Sequence, residues 1–204
     1  MASDNCRQSR RHELRREMIL KAAAEEFALQ GFANATLERI GERIGLSKAS
    51  LYYYVSSKEQ LLALILEQVT SRIAKQAALT EGSAESKLRA FVKAHVTVVA
   101  TSVEGQVLGE NVNVLLDRST HEQFADVRER HERRLILILQ EGIEAGEFRS
   151  LPVRPAVKLM FGGLNSIPLW YRPEGTLSLD ALTQEVVDWM LGGLTKGESP
   201  SASL

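Results

Sequence analysis

The chain has 204 residues, with 25 Lys and Arg against 26 Asp and Glu, a net charge of −1 and 44% hydrophobic residues, an ordinary globular composition. No apolar run approaches the roughly 20 residues of a membrane-spanning helix, and the N-terminus lacks the apolar stretch of a secretory signal. The single cysteine, Cys6, excludes an intramolecular disulfide and a multi-cysteine metal site. These features point to a cytoplasmic protein with no membrane partner.

Five arginines, Arg7, Arg10, Arg11, Arg15 and Arg16, fall within ten positions near the N-terminus. Such a block reads as a solvated arm, and arms of this kind also bind phosphates. From Glu13 to Gln30 the apolar residues Leu14, Met18, Ile19, Ala22, Ala23 and Phe27 recur at steps of three and four, which predicts an amphipathic helix closed by Gly31. Thr36 is placed to cap a short helix over Leu37–Arg43, and Gly45 to break it. Ser47 is placed to cap a third over Lys48–Tyr54. Ser57 and Gln60 form a capping-box pattern opening a long fourth helix.

The polar stretch TEGSAES, Thr80 to Ser86, interrupts the helical pattern. Beyond it come a stripe through Leu88, Phe91, Val92, His95, Val96 and Val99, then a charged helix from about His121 to Ala145. The run LILIL at Leu135–Leu139 exceeds one helix face and predicts burial on more than one side. Two further helices are expected near Pro155–Tyr171 and Leu179–Leu194. They carry MFGGL and MLGGL, whose glycine pairs Gly162–Gly163 and Gly192–Gly193 each weaken a helix unless backbones approach closely there. A tight helix–helix seam is the expected reason. The final KGESPSASL reads as disordered.

Two short helices joined by a glycine-containing turn make a helix-turn-helix candidate, whose second helix enters the DNA major groove. Leu51 is set to pack on Ile40 and Ile44, directing Ser47, Lys48, Ser50, Tyr52 and Tyr53 outward. Tyrosine offers an apolar face to a thymine methyl or sugar and a hydroxyl to a phosphate. Lys58 lies in the first turn of the next helix, where the dipole favours an anion.

Residues 13–62, with ILKAAAEEFALQGF, a Thr before IGERIGLSKASLYYYV, and SKEQLL, resemble the DNA-binding domain of TetR-type transcriptional regulators. The usual aromatic-His-Phe triplet reads Tyr53-Tyr54-Val55. The resemblance implies an all-α fold of about nine helices. A three-helix DNA-binding domain with its arm (1–60) precedes a helical ligand-binding and dimerisation domain (61–195) and a disordered tail (196–204). It implies a homodimer on double-stranded, palindromic DNA that represses until a small apolar effector binds. It also implies DNA contacts at Thr36, Ser47, Lys48, Ser50, Tyr52, Tyr53 and Lys58. Tyr54 is left between phosphate contact and packing on the first helix. The last two helices are implied to dimerise through Gly162, Gly163, Gly192 and Gly193. WYRPEG followed by LSLDALTQEVVDWMLGGL resembles the fatty-acid and sterol-catabolism regulators of this family, which respond to CoA thioesters. A drug-responsive efflux regulator is the alternative, or an architectural DNA-binding protein without effector.

Candidate effector contacts are polar residues on apolar stripes, His95, Asn111 and Asn165, with Phe91, Leu115, Leu135 and Phe161 as walls and Trp170 and Arg172 near the helix end. His95 and the wall residues read equally as ordinary core, and Arg172 as a solvated residue after its helix. No phosphate loop, metal-ligand spacing or nucleophile elbow occurs, so neither an enzyme nor a bound cofactor or metal is expected. His121 and His131 on the charged helix are expected at the surface.

Overall fold

The computed structural model describes residues 2–78, 80–109 and 118–195. Among these it is all-helical: α1 (Ala2–Asn34), α2 (Leu37–Arg43), α3 (Lys48–Tyr52), α4 (Lys58–Ala77), α5 (Ala84–Thr101), α6 (Val103–Gln106), a 3-10 turn (Val107–Gly109), α7 (Arg118–Glu144), α8 (Val153–Trp170) and α9 (Leu179–Leu194). The expected tail lies outside the described residues. Two compact units emerge, Met1–Val69 with Ser102–Val127, and Thr70–Thr101 with Arg128–Leu204.

In the first unit α1 packs on α2, α6 and the 3-10 turn, and α2 packs on α3. The stripe read from the sequence buries Ile19, Ala22, Ala23 and Phe27, but Leu14 and Met18 stay about half exposed, at 54% and 47%. The backbone from Ala2 onward is helical and continuous with α1, where the arginine block suggested a solvated arm. Gly31 interrupts the helix with φ 72°, a conformation that favours glycine.

Two devices lock α2 in place. Glu26 on α1 is 2% exposed; it accepts a hydrogen bond from Arg43 Nε at 3.0 Å and has Arg39 Nε at 3.3 Å as a second ion-pair partner, without hydrogen-bond geometry, so two guanidinium groups balance its buried charge. Gly41 lets the turn close: a Cβ there would sit 2.8 Å from the Leu46 carbonyl oxygen, and the Leu46 N–H donates to the Gly41 carbonyl at 2.9 Å.

In the second unit α5 packs against both α8 and α9. Its buried residues Leu88, Phe91, Val92, Val96 and Val99 follow the expected stripe. The LILIL run corrects an expectation. Leu135 and Leu139 are fully buried, whereas Leu137 is 58% exposed, so α7 buries one face. Pro168 lies within α8, which ends two residues later, at Trp170.

Candidate nucleic-acid interface and effector core

The helix-turn-helix forms as its capping residues dictate. Thr36 Oγ1 accepts from the Arg39 N–H at 3.3 Å and Ser47 Oγ from the Ser50 N–H at 3.2 Å, each satisfying an orphan donor of a helix start. Leu51 and Ile40 are fully buried, and Ile44 is half-buried. α3 is therefore anchored by one side chain, and Ser47, Lys48, Ser50, Tyr52 and Tyr53 are exposed, Tyr53 to 78%. The helix closes at Tyr52, two residues before the expected end, and Tyr53–Tyr54 form a turn. Tyr54 is half-buried, with its ring 5.2 Å from that of His12 on α1 and the Tyr53 ring edge-on to it at 5.2 Å.

The cations of this region are engaged. Lys48 pairs with Glu38, and their hydrogen bond holds the lysine above and the carboxyl below their ordinary pKa values. Lys58, expected to meet a phosphate, is turned inward. Its Nζ donates to the carbonyls of Phe32 (2.9 Å), Ala33 (3.0 Å) and Ala35 (3.3 Å) and lies 4.8 Å from the Phe32 ring centre. A cation among the last carbonyls of a helix answers both their missing donors and the negative end of the dipole. The capping box is shifted by one residue: Gln60 Oε1 accepts from the Ser56 N–H at 2.7 Å, while Ser57 Oγ accepts from the Gln60 N–H. Lys58→Met keeps the apolar stem and removes the donor. We expect it to destabilise the fold by about 1–3 kcal/mol, read from denaturant melts, with no change in the salt dependence of DNA binding.

The second unit brings together Phe91, His95, Phe161 and Asn165, and adds a residue the sequence reading placed at the surface. His131 is 5% exposed. Its ring centre lies 5.5 Å from His95, 5.4 Å from Phe91 and 4.9 Å from Phe161. The missed signal was four-residue spacing: Val127, His131, Leu135 and Leu139 form the buried stripe of α7. His95 Nε2 lies 3.0 Å from Asn165 Oδ1, and His131 Nε2 3.4 Å from His95 Nδ1. With the amide oxygen facing it, His95 Nε2 carries the proton and its Nδ1 accepts from His131 Nε2. His131 Nδ1 is then a buried acceptor with no hydrogen-bond partner among the described residues.

Burial holds both rings neutral, His95 down to about 4 despite the opposing Asn165 bond, and His131 to about 3, with His95 and Arg134 adding to the burial effect.

Trp170 and Arg172, also expected to meet the effector, lie outside this cluster. Trp170 is 52% exposed with its Nε1 donating to Ser166 Oγ at 3.3 Å. Arg172 is exposed and donates to the Tyr171 carbonyl at 2.9 Å and to those of Pro168 and Leu169 at 3.4 Å, closing α8. Asn111 and Leu115 lie outside the described residues. Gly162, Gly163, Gly192 and Gly193 are exposed, and a Cβ at any of them would have nothing within 4 Å, so no close approach within the subunit accounts for them. Leu159 (75% exposed) and Trp189 (73%) flank them, around a cleft of about 480 Å³ also lined by Arg149, Met160 and Met190.

The profile of the bacterial regulatory proteins, tetR family, matches residues 19–65, and that of the tetracyclin repressor-like C-terminal domain matches residues 81–194. The transcriptional repressor KstR2 of Mycolicibacterium smegmatis is 27% identical over 189 residues, covering 90% of this chain and 92% of that protein. The transcriptional activator FasR of the same organism is 26% identical over 186 residues, covering 89% and 83%. In fold, the chain resembles AibR, solved with isovaleryl coenzyme A and operator DNA, with a TM-score of 0.74, 21% identity and coverage of 88% and 97%. The chain belongs to the tetR family of bacterial regulatory proteins, which the described helix-turn-helix and helical C-terminal region match along most of its length.

Proposed function

We propose that the protein is a ligand-controlled repressor that binds a palindromic operator as a homodimer. Residues 1–60 serve DNA binding and 61–195 effector binding and dimerisation. The observation that carries this reading is the outward face of α3. Ser47, Lys48, Ser50, Tyr52 and Tyr53 stand exposed on a helix fixed from behind by Leu51, with hydroxyls for bases or phosphates and apolar faces for thymine methyls. Thr36 adds a contact at the start of α2, and Tyr54 supports Tyr53. Repression rather than activation follows the KstR2 relative.

The effector is assigned to the core around His95, His131 and Asn165, where a neutral polar chain crosses aromatic walls and ends in an unpartnered acceptor. An apolar ligand bearing one hydrogen-bond donor suits that environment. An acyl-CoA thioester is the first class to test, because a protein of this fold is solved with one. Release requires the ligand to prefer a form whose two recognition helices no longer match grooves 34–36 Å apart; a coupling of about 1–3 kcal/mol corresponds to about a 5- to 150-fold loss of DNA affinity. A regulator of efflux responding to a drug-like compound would share all of this except the ligand.

Fluorescence anisotropy on the DNA beside the protein's own gene tests the reading, with and without long-chain acyl-CoA or the free fatty acid. Specific binding released by the thioester alone supports it. Specific binding indifferent to both removes that ligand class, and binding without sequence preference favours an architectural protein.

A further inference from the structure

A DNA-binding surface gains most of its affinity from cations that displace condensed counterions, yet the helix-turn-helix retains few for the purpose. Arg39 and Arg43 pair with Glu26, Arg43 also with Glu25, Lys48 with Glu38, and the Lys58 ammonium closes α1. Beside the reading surface lies a cleft of about 510 Å³ between the first half of α1 and the turn after α3. Arg11, His12 and Arg15 form one wall and Tyr53 and Tyr54 the other, over the exposed apolar side chains Leu14 and Met18. Among the described residues no carboxylate lines it, and neither arginine makes an ion pair. The His12–Tyr54 ring contact joins the two walls, and the Tyr53–Tyr54 contact braces the tyrosine wall.

We propose that this cleft is a second DNA-backbone site, in which Arg11 and Arg15 take phosphates adjoining the groove that α3 reads and the tyrosine faces meet the sugars. The inference rests on the DNA-binding reading and deepens it. Guanidinium groups suit this task, since they donate in pairs to phosphate oxygens, and Tyr53 belongs to both surfaces. This explains two departures from the sequence expectations together: α1 extends beyond its buried stripe, and Leu14 and Met18 stay outside the core.

The test is the salt dependence of binding by the full chain to the DNA beside its own gene and to an unrelated duplex. Each phosphate contact contributes about 0.9 to the slope of log affinity against log salt. Arg11→Gln/Arg15→Gln is expected to lower the slope by about 1.8 on both duplexes, so its deficit relative to the parent shrinks about 12-fold between 50 and 200 mM salt. Arg11→Lys/Arg15→Lys, which keeps both charges, is expected to retain the slope.

Equal slopes for parent and Gln variant, with the parent bound, overturn the cleft alone. No binding by the parent to either duplex overturns the DNA reading and the cleft with it. Preference of inorganic phosphate over sulfate as a competitor at constant ionic strength, abolished by the Gln pair, marks a free-anion site and also overturns the proposal.

Discussion

Lowering the pH from 7.5 to 5 at fixed protein concentration is expected to remove about 4 kcal/mol of stability through His95 and His131 alone. Both imidazoles have folded-state values well below the 6.5 of an exposed histidine, about 4 and about 3. Below pH 6.5 the unfolded chain takes up protons that the folded chain refuses, so stability is complete above 6.5 and declines as the pH falls toward 4. A pH of 5 lies about 1.5 units below the unfolded value and above both folded values, which corresponds to about 2 kcal/mol for each ring. His131→Gln separates this from the carboxylates. Glutamine places an amide donor near the position of Nε2, preserves the bond to His95 Nδ1 and does not titrate. Its stability is expected to fall about half as steeply between pH 6.5 and 5 in denaturant titrations. A variant as steep as the parent would show that His131 is already protonated, or accessible to water, in the folded protein.

His131 also marks where the sequence was hardest to read. Its neighbours Arg130, Glu132, Arg133 and Arg134 give a solvated appearance, and only the register with Leu135 and Leu139 places it inside. The helix-turn-helix was legible because its determinants are local: two capping hydroxyls, the turn glycine Gly45 and one inward leucine act within about fifteen residues. His95 and Asn165 could be singled out as polar residues on apolar stripes, but their pairing joins positions 70 apart in the chain, which periodicity does not encode. Lys58 misled for a related reason. Position at a helix start predicts an anion partner, whereas a long flexible side chain reaches whichever unsatisfied oxygens are nearest, here the carbonyls closing α1.

Alanine at Gly162 and Gly192 is expected to act in opposite directions on the subunit and on the proposed dimer. Within the subunit a Cβ at either site has nothing within 4 Å. Replacing helical glycine therefore stabilises each helix by about 0.8–1 kcal/mol, visible as a raised denaturation midpoint at concentrations where the protein is monomeric. In a two-fold dimer joined through α8 and α9 every substitution occurs twice. A methyl forced between close backbones costs about 1–3 kcal/mol at each copy, so a single glycine change weakens dimerisation by about 30-fold or more. Trp189→Ala is the larger test. The indole is 73% exposed in the subunit, and truncating a buried interface aromatic costs about 2 kcal/mol or more. Two copies correspond to about a 1000-fold shift toward monomer, read by sedimentation. Operator affinity should fall with it, since two half-sites one helical turn apart need both recognition helices. If Trp189→Ala and the glycine variants leave the association constant unchanged, the α8–α9 face is not the dimer seam, and the exposed Leu159 and Trp189 serve some other partner. A dimer lost together with operator binding, from subunits individually more stable than the parent at the glycine positions, is an outcome that damage to the fold cannot produce.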